Sequence, residues 1–162
     1  MEQEFNDIIE PIINLEDYQK LKNIAHHGLT RYDHCIRVAY GAYKVSKALK
    51  LDYVKVTEAA MLHDFFIDEV KDMGGLKRLQ EHPKYALENS KKYFNLTPMQ
   101  EDIIATHMFP VTITPPKYLE SWLVDLIDDG VAIYEKSIST RRDLKPVKAM
   151  MFLLVINFIK LF

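Results

Sequence analysis

The sequence predicts one all-α domain, a single bundle of six or seven helices. Three observations favour this class: the composition is 48% hydrophobic with only five glycines, apolar residues recur at helical spacing, and signals for helix starts recur along the chain. A length of 162 residues suits one compact domain better than two. We therefore expect residues 1–162 to form one domain around one principal site.

Capping residues place the first helices after the N-terminal helical segment. Thr30, followed by Asp33, forms a capping-box pattern that opens a helix running to about Lys50. Asp52 can cap a second helix over residues 53–69. The core face expected for the first of these two helices consists of Ile36, Val38, Ala42, Val45 and Leu49.

Prolines and a further cap mark the later boundaries. Pro83 suits the first position of a helix, so a third helix is expected to begin at His82 and Pro83. A fourth begins at Thr97 and ends near His107. The remaining expected elements are a loop over residues 108–117, a fifth helix over 118–137 and a last apolar helix over about 146–162.

Charge and cysteine content narrow the class of protein. A net charge of −2 and a pI near 6.3 supply no global field for gripping a nucleic-acid backbone. Cys35 is the single cysteine and cannot form an internal disulfide, and the first residues lack the features of a secretory signal. The apolar run at residues 149–159 is shorter than the roughly 18 residues that a membrane span needs. We expect a cytoplasmic protein without a membrane span.

Histidines and aspartates at helix starts, centres and ends form a candidate metal-ligand set. The pair His63 and Asp64 lies among apolar residues and should be buried, and a buried carboxylate needs a partner such as a metal ion or a core ion pair. Nitrogen and oxygen donors without a thiolate cluster suit Mn, Fe, Co, Ni, Zn or Mg. The other candidates are His34, His82, His107 and an aspartate of the segment LVDLIDD, residues 123–129.

In order and spacing, these residues resemble the HD superfamily of metal-dependent phosphohydrolases over about residues 31–132. The chain looks similar to the small two-metal branch, which includes HD-type dinucleoside polyphosphate hydrolases and the HD domain of ribonuclease Y. The segments that carry the resemblance are RYDHCIRVA for the first ligand helix, AAMLHDFF for the HD helix, EHPKYALEN for the HP-containing helix, IIATHMFP for the later histidine segment and WLVDLIDD for the closing aspartate helix.

The resemblance implies a particular division of the ligands. His34, His63, Asp64 and the closing aspartate would bind one divalent ion, and His82 with His107 would complete a site for a second. Asp128 aligns best as the closing aspartate, with Asp125 as the alternative. Two such ions would activate a shared water for attack on phosphorus. Phenylalanines follow the HD pair here, where many relatives carry glycine and lysine, so a lysine-assisted mechanism is not expected.

Further residues are candidates for catalysis. Arg31 and Arg37 are candidate phosphate clamps, and Arg31 is preferred because it lies one turn before the first ligand histidine. Asp68 could orient the attacking water, or it could be a solvated residue at a helix end. His26 and His27 are either proton donors or an exposed loop pair. The aromatic-rich loop after His107 is expected to stack on a base or to cover the pocket.

The function that these expectations favour is hydrolysis of a phosphoester or phosphoanhydride in a nucleotide-like small molecule. Asp64 would be central to catalysis as a metal ligand. RNA decay is disfavoured, because the chain has no KH-like loop and no basic arm. Two alternatives remain: a non-catalytic nucleotide-binding sensor, and a helical interaction protein that forms a homodimer through its C-terminal apolar helix.

Overall fold

The computed structural model describes residues 2–26 and 29–139 and confirms the all-α class. Within these residues a short 3₁₀ turn and a minimal hairpin precede the third of seven α-helices. The elements are α1 (Gln3–Ile13), α2 (Glu16–Gln19), the 3₁₀ turn (Lys20–Asn23), β1 (Ala25–His26), β2 (Leu29–Thr30), α3 (Arg31–Ala48), α4 (Tyr53–Leu62), α5 (Gly75–Lys91), α6 (Pro98–Thr106) and α7 (Leu119–Ser139). The expected helix over about 146–162 lies outside the described residues.

The predicted caps are present at the starts of three helices. Thr30 and Asp33 form a reciprocal capping box at α3, and Thr97 and Gln100 form another at α6. The side chain of Asp52 accepts a hydrogen bond from a backbone amide in the first turn of α4. These helices begin where the sequence predicts because a cap needs only residues three positions apart.

The second predicted helix is shorter than expected. Residues 53–69 were predicted to be helical, but α4 ends at Leu62 and His63 is its C-cap. The next four side chains, at residues 63–66, are all buried. The last four residues of α4, 59–62, are buried as well, so burial alone does not end the helix. Turn hydrogen bonds replace the helical ones at this point: the Phe65 amide donates to the Leu62 carbonyl at 3.1 Å, and the Phe66 amide donates to the Asp64 carbonyl at 2.8 Å.

The third predicted helix starts earlier than expected. It was predicted to begin at His82 and Pro83, but α5 begins at Gly75 and contains both residues. The segment LKRLQE is rich in helix-forming residues. Their preference for the helix outweighs the loss of the amide hydrogen bond that Pro83 cannot make. As a result, His82 lies in the middle of a helix.

A two-residue antiparallel ladder precedes α3 and was not predicted. Ala25 pairs with Thr30, and His26 pairs with Leu29. The Arg31 amide also donates to the Ile24 carbonyl at 2.9 Å. The ladder and this bond fix the backbone at the entry to α3.

The hydrophobic core joins α3 to α4 and α7. Both α3 and α4 bury alanines, and small side chains allow helices to approach closely. Gly41 marks the crossing with α7, because a Cβ atom there would lie 3.0 Å from Ile127 Cγ2. Of the predicted core face of α3, Val38 and Ala42 are fully buried, and Ile36 and Val45 are partly buried against the core. Leu49 is partly buried as the C-cap of α3 and does not belong to this packed set.

Across the described residues, no helix is both long enough and apolar enough to span a membrane.

Replacing the cap of α6 should destabilise the fold. We expect Thr97→Ala to lower the free energy of unfolding by about 1 kcal/mol, because the Gln100 amide loses its acceptor. This corresponds to roughly 2–4 °C in Tm for a chain of this size. Thermal denaturation followed by circular dichroism, at fixed metal concentration, measures the change. Thr97→Ser keeps the hydroxyl and should match the parent; equal Tm values for all three proteins would contradict the prediction.

Candidate metal centre

His34 lies between two carboxylates of α7. Its Nε2 is 2.8 Å from Asp128 Oδ1, and its Nδ1 is 2.9 Å from Glu135 Oε2. All three residues are buried. Asp128 and Glu135 are seven residues apart, so they lie on the same face of α7, two turns from each other. One carboxylate therefore faces the centre of the site and the other supports the histidine from behind.

His63 and Asp64 follow the last turn of α4. The Nδ1–H of His63 donates to the Ala60 carbonyl at 2.7 Å, which leaves Nε2 facing Asp128 Oδ1 at 3.6 Å. Asp64 Oδ1 lies 3.2 Å from His82 Nε2 and 3.7 Å from His107 Nε2. The HD pair thus points in two directions, toward α7 and toward α5 and α6.

His82 and His107 meet through their Nε2 atoms, which are 2.9 Å apart. Nδ1 of His82 lies 3.0 Å from the Arg78 carbonyl, and Nδ1 of His107 lies 2.9 Å from the Ile104 carbonyl. A carbonyl only accepts, so each Nδ1 carries a proton, and a ring that holds no second proton presents a lone pair at Nε2. Two lone pairs at this distance need a cation between or beside them, either a proton or a metal ion.

All four imidazoles share this arrangement. Each Nδ1 is bonded to a carbonyl or carboxylate oxygen, and each Nε2 points into the centre. Such a bond behind the ring is the usual support of a histidine that binds a metal ion. The structure thus brings together the six predicted ligands, hereafter the six-residue cluster: His34, His63, Asp64, His82, His107 and Asp128.

The six-residue cluster fits metal ions. Three triads have ligand atoms within 4.8 Å of one another: His34, His63 and Asp64; His63, His107 and Asp128; and Asp64, His82 and His107. The first and third triads share only Asp64, which suits two adjacent ions. His63 Nε2 and Asp64 Oδ1 are buried and lack a hydrogen-bond partner within the described part of the chain. Buried polar atoms are seldom left unpaired, so a cation at these atoms accounts for them.

Mutual ion pairing sets the protonation of the cluster. Burial alone would raise the pKa of Asp64, but His107 and His82 hold it well below its usual range. His63 and His34 do the same for the equally buried Asp128. Burial would lower the pKa of His34, yet Asp128 and Glu135 raise it to about 10. Metal binding at His34 must therefore displace a proton.

Asp128, and not Asp125, enters the cluster. Asp125 is buried one turn earlier on α7, and it belongs to none of the three triads. Burial, together with the charges of Asp129 and Asp128, raises the pKa of Asp125 to about 8. A carboxyl group that is mostly protonated at neutral pH is a poor ligand for a divalent ion.

The candidate catalytic residues are placed differently from one another. Arg31 is buried and lines the cavity described below. The side chain of Arg37 is 41% exposed and lies 3.4 Å from Glu135. Glu135 contacts the Nδ1 side of His34, so Arg37 lies away from the centre of the cluster. Asp68 is not brought to the site: its side chain is 75% exposed and faces Lys71 at 3.8 Å, because the chain has already left the helix. The side chains of His26 and His27 fall outside the described part.

A cavity of about 440 Å³ opens onto the cluster, a size typical of small-molecule sites. Of the loop predicted to cover the pocket, Met108 lines the cavity. Phe109 instead packs edge-to-face on Trp122, and Ile113 is 92% exposed. The cavity residues outside the cluster are Ala25, Arg31, Phe66, Arg78, Leu79, Met108, Asp129 and Ala132.

Two supporting residues were not predicted. Glu135 contacts His34 from 101 positions away in the chain. Phe66 packs its ring against His82, at 4.9 Å between centroids. The spacing of seven from Asp128 was a usable signal for Glu135 once α7 was assigned. No local sequence pattern predicted the contact between Phe66 and His82.

Removing the charge behind His34 should weaken metal binding. We expect Glu135→Gln to reduce metal affinity by roughly 10–100-fold, the usual effect of losing a carboxylate that supports a ligand histidine. Competition titration with a chromophoric chelator measures the affinity. Glu120→Gln, at the other end of α7, is the matched control and should not change it. Equal affinities for parent and Glu135→Gln would show that the contact does not tune the site.

Comparison with known proteins agrees with the geometry. The model of the HD domain family matches residues 31–132, well over half of the chain, and this segment contains the whole six-residue cluster. A search of curated proteins gives no match. The HD family consists largely of metal-dependent phosphohydrolases that hold divalent ions with histidine and aspartate. On this evidence, the chain belongs to the HD domain family.

Proposed function

We propose that the protein is a metal-dependent phosphohydrolase that cleaves a phosphoester or phosphoanhydride bond in a nucleotide-like small molecule. The observation that carries this proposal is a pair of His/Asp triads that share Asp64 at a cavity of about 440 Å³. A buried ion-pair network with only a structural role would not need to open onto such a cavity.

The cluster would hold two divalent ions. His34, His63, Asp64 and Asp128 would bind one, and Asp64, His82 and His107 would bind the other. The donor set suits Mn, Fe, Co, Ni, Zn or Mg. When bound, such ions lower the pKa of coordinated water toward neutrality and stabilise negative charge on phosphoryl oxygens.

The residues of the chain supply orientation and charge. Asp64 and Asp128 stay ionised because the histidines hold their pKa values low. The carbonyls of Ala60 and Ile104 fix the rings of His63 and His107, so that no reorientation is needed when a ligand arrives. The site is therefore organised in advance for a charged substrate.

The cavity wall supports the choice of substrate class. Phe66, Leu79 and Met108 give the cavity lining apolar surface, and Arg31 and Arg78 line the same cavity. Cations beside apolar surface suit a phosphoryl group attached to a compact organic group such as a nucleoside. A net charge of −2 gives no broad attraction for long nucleic acids.

Metal content tests the centre itself. Protein purified without chelator should contain about two transition-metal ions per chain, as in other two-metal sites. His82→Ala should lower this to about one, because His82 belongs to a single triad. Inductively coupled plasma mass spectrometry gives the content, and circular dichroism verifies the fold. A folded parent protein that takes up no metal would refute the proposal.

Turnover tests the reaction. A panel of phosphoesters and nucleotides with Mn or Co should reveal a substrate, and Asp64→Asn should reduce kcat/KM by about a thousandfold. This loss reflects several kcal/mol of transition-state stabilisation, at about 1.4 kcal/mol for each factor of ten. Asp72→Asn, an exposed aspartate of the same connecting segment, is the control. Nucleotide binding without turnover would favour the sensor alternative, and an unchanged rate in Asp64→Asn would refute the assigned centre.

A further inference from the structure

Arg31 is held rigidly at the edge of the cavity. It is the first residue of α3, directly after the Thr30 cap, and its amide is bonded to the Ile24 carbonyl. Its side chain is only 8% exposed, yet it lines the cavity. An arginine on a surface would have many rotamers, but this one has its backbone and its side chain fixed.

Phe66 fixes the guanidinium in two ways. The Nη1 atom of Arg31 donates to the Phe66 carbonyl at 2.5 Å, and the guanidinium carbon lies 3.5 Å from the centroid of the Phe66 ring. The ring packs against His82 as well, with centroids 4.9 Å apart. Phe66 therefore sets the position of a cavity cation relative to a member of the six-residue cluster.

The guanidinium keeps unused hydrogen-bonding capacity. Its Nε is buried and has no hydrogen-bond partner among the described residues. The facing carboxylate oxygen, Asp64 Oδ2, lies 3.7 Å away, beyond hydrogen-bond distance. Burial lowers the pKa of Arg31, but a guanidinium remains charged in proteins. Asp64 therefore balances the charge of Arg31 but leaves Nε without a hydrogen bond, and a buried donor without an acceptor is costly.

Arg78 does not provide the same site. Its residue is exposed, and its Nη2 lies 3.4 Å from the Met73 carbonyl. It can attract anions to the cavity mouth, but within the described residues no aromatic ring holds it as the Phe66 ring holds Arg31.

We infer that Arg31, positioned by the ring and carbonyl of Phe66, forms an oxyanion subsite that binds a phosphoryl oxygen of the substrate beside the six-residue cluster. This inference rests on the proposed function, since it deepens the description of the same cavity. Arg31 is the binding residue, and Phe66 is a positioning residue that acts through it. The planar fork suits a tetrahedral oxyanion, for which a lysine ammonium is a poorer match.

Inorganic phosphate is the probe that tests the subsite. Isothermal titration calorimetry on metal-loaded and on chelator-treated protein measures its affinity. Arg31→Lys and Phe66→Leu should each weaken phosphate binding by roughly tenfold or more, the usual scale for losing a hydrogen bond to a charged group. Metal content should stay that of the parent. Phe66→Tyr keeps the aromatic ring that Phe66→Leu removes, and it should restore the parent affinity. Lys91→Gln removes a surface charge that pairs with Glu101, and it should have no effect.

The outcomes separate this inference from the proposed function. Parent-like phosphate affinity in Arg31→Lys overturns the inference, as does a parent protein that binds no phosphate under either condition. Arg31→Lys leaves the ring in place, so it decides the matter even if Phe66→Leu does not fold. A protein that hydrolyses a phosphoester but ignores both substitutions keeps the proposed function and loses the subsite. A protein that binds phosphate through Arg31 but neither takes up metal nor turns over substrate keeps the subsite and loses the proposed function.

Discussion

The bond behind each imidazole is the constraint on which the rest of the site depends. Four buried histidines would point in arbitrary directions if their Nδ1 atoms were free, and each would carry an unsatisfied donor in the core. The ends of α4 and α6 provide an acceptor for Nδ1 in the same way. His63 and His107 are the C-cap residues of these helices, and each Nδ1 donates to the carbonyl three positions back. Carbonyls of the last helical turn lack intrahelical partners, so they are available as acceptors.

Helix termination therefore has a chemical role here. Because α4 ends at Leu62, Asp64 can turn toward α5 and α6 while His63 remains beside α7. The close crossing of α3 and α7 at Gly41 then brings Asp128 to His34. Ligands from five helices reach one point because two helices stop and two others approach closely.

The site balances its charges locally. The carboxylates of Asp64, Asp128 and Glu135 face imidazoles, and His34, which lies between two of them, has a pKa raised to about 10. Removing one member of such a network leaves an uncompensated buried charge. The guanidinium of Arg31 is less completely satisfied than these groups, since its Nε faces Asp64 at 3.7 Å. Phe66 satisfies Nη1 through its carbonyl but faces the rest of the guanidinium with a π surface.

The sequence by itself determined the helical class, the capped starts of α3, α4 and α6, and the six side chains that gather at the site. A cap depends only on neighbouring residues, and the order of the histidines and aspartates matches that of a known family. Both can therefore be predicted from the sequence. Only the tertiary structure decided where α4 ends and α5 begins, that Asp68 faces solvent, and that Glu135 and Phe66 support His34 and Arg31. The physical reason is that burial of residues 63–66 and contacts between distant helices depend on how the whole core packs, whereas a cap depends on four neighbouring residues.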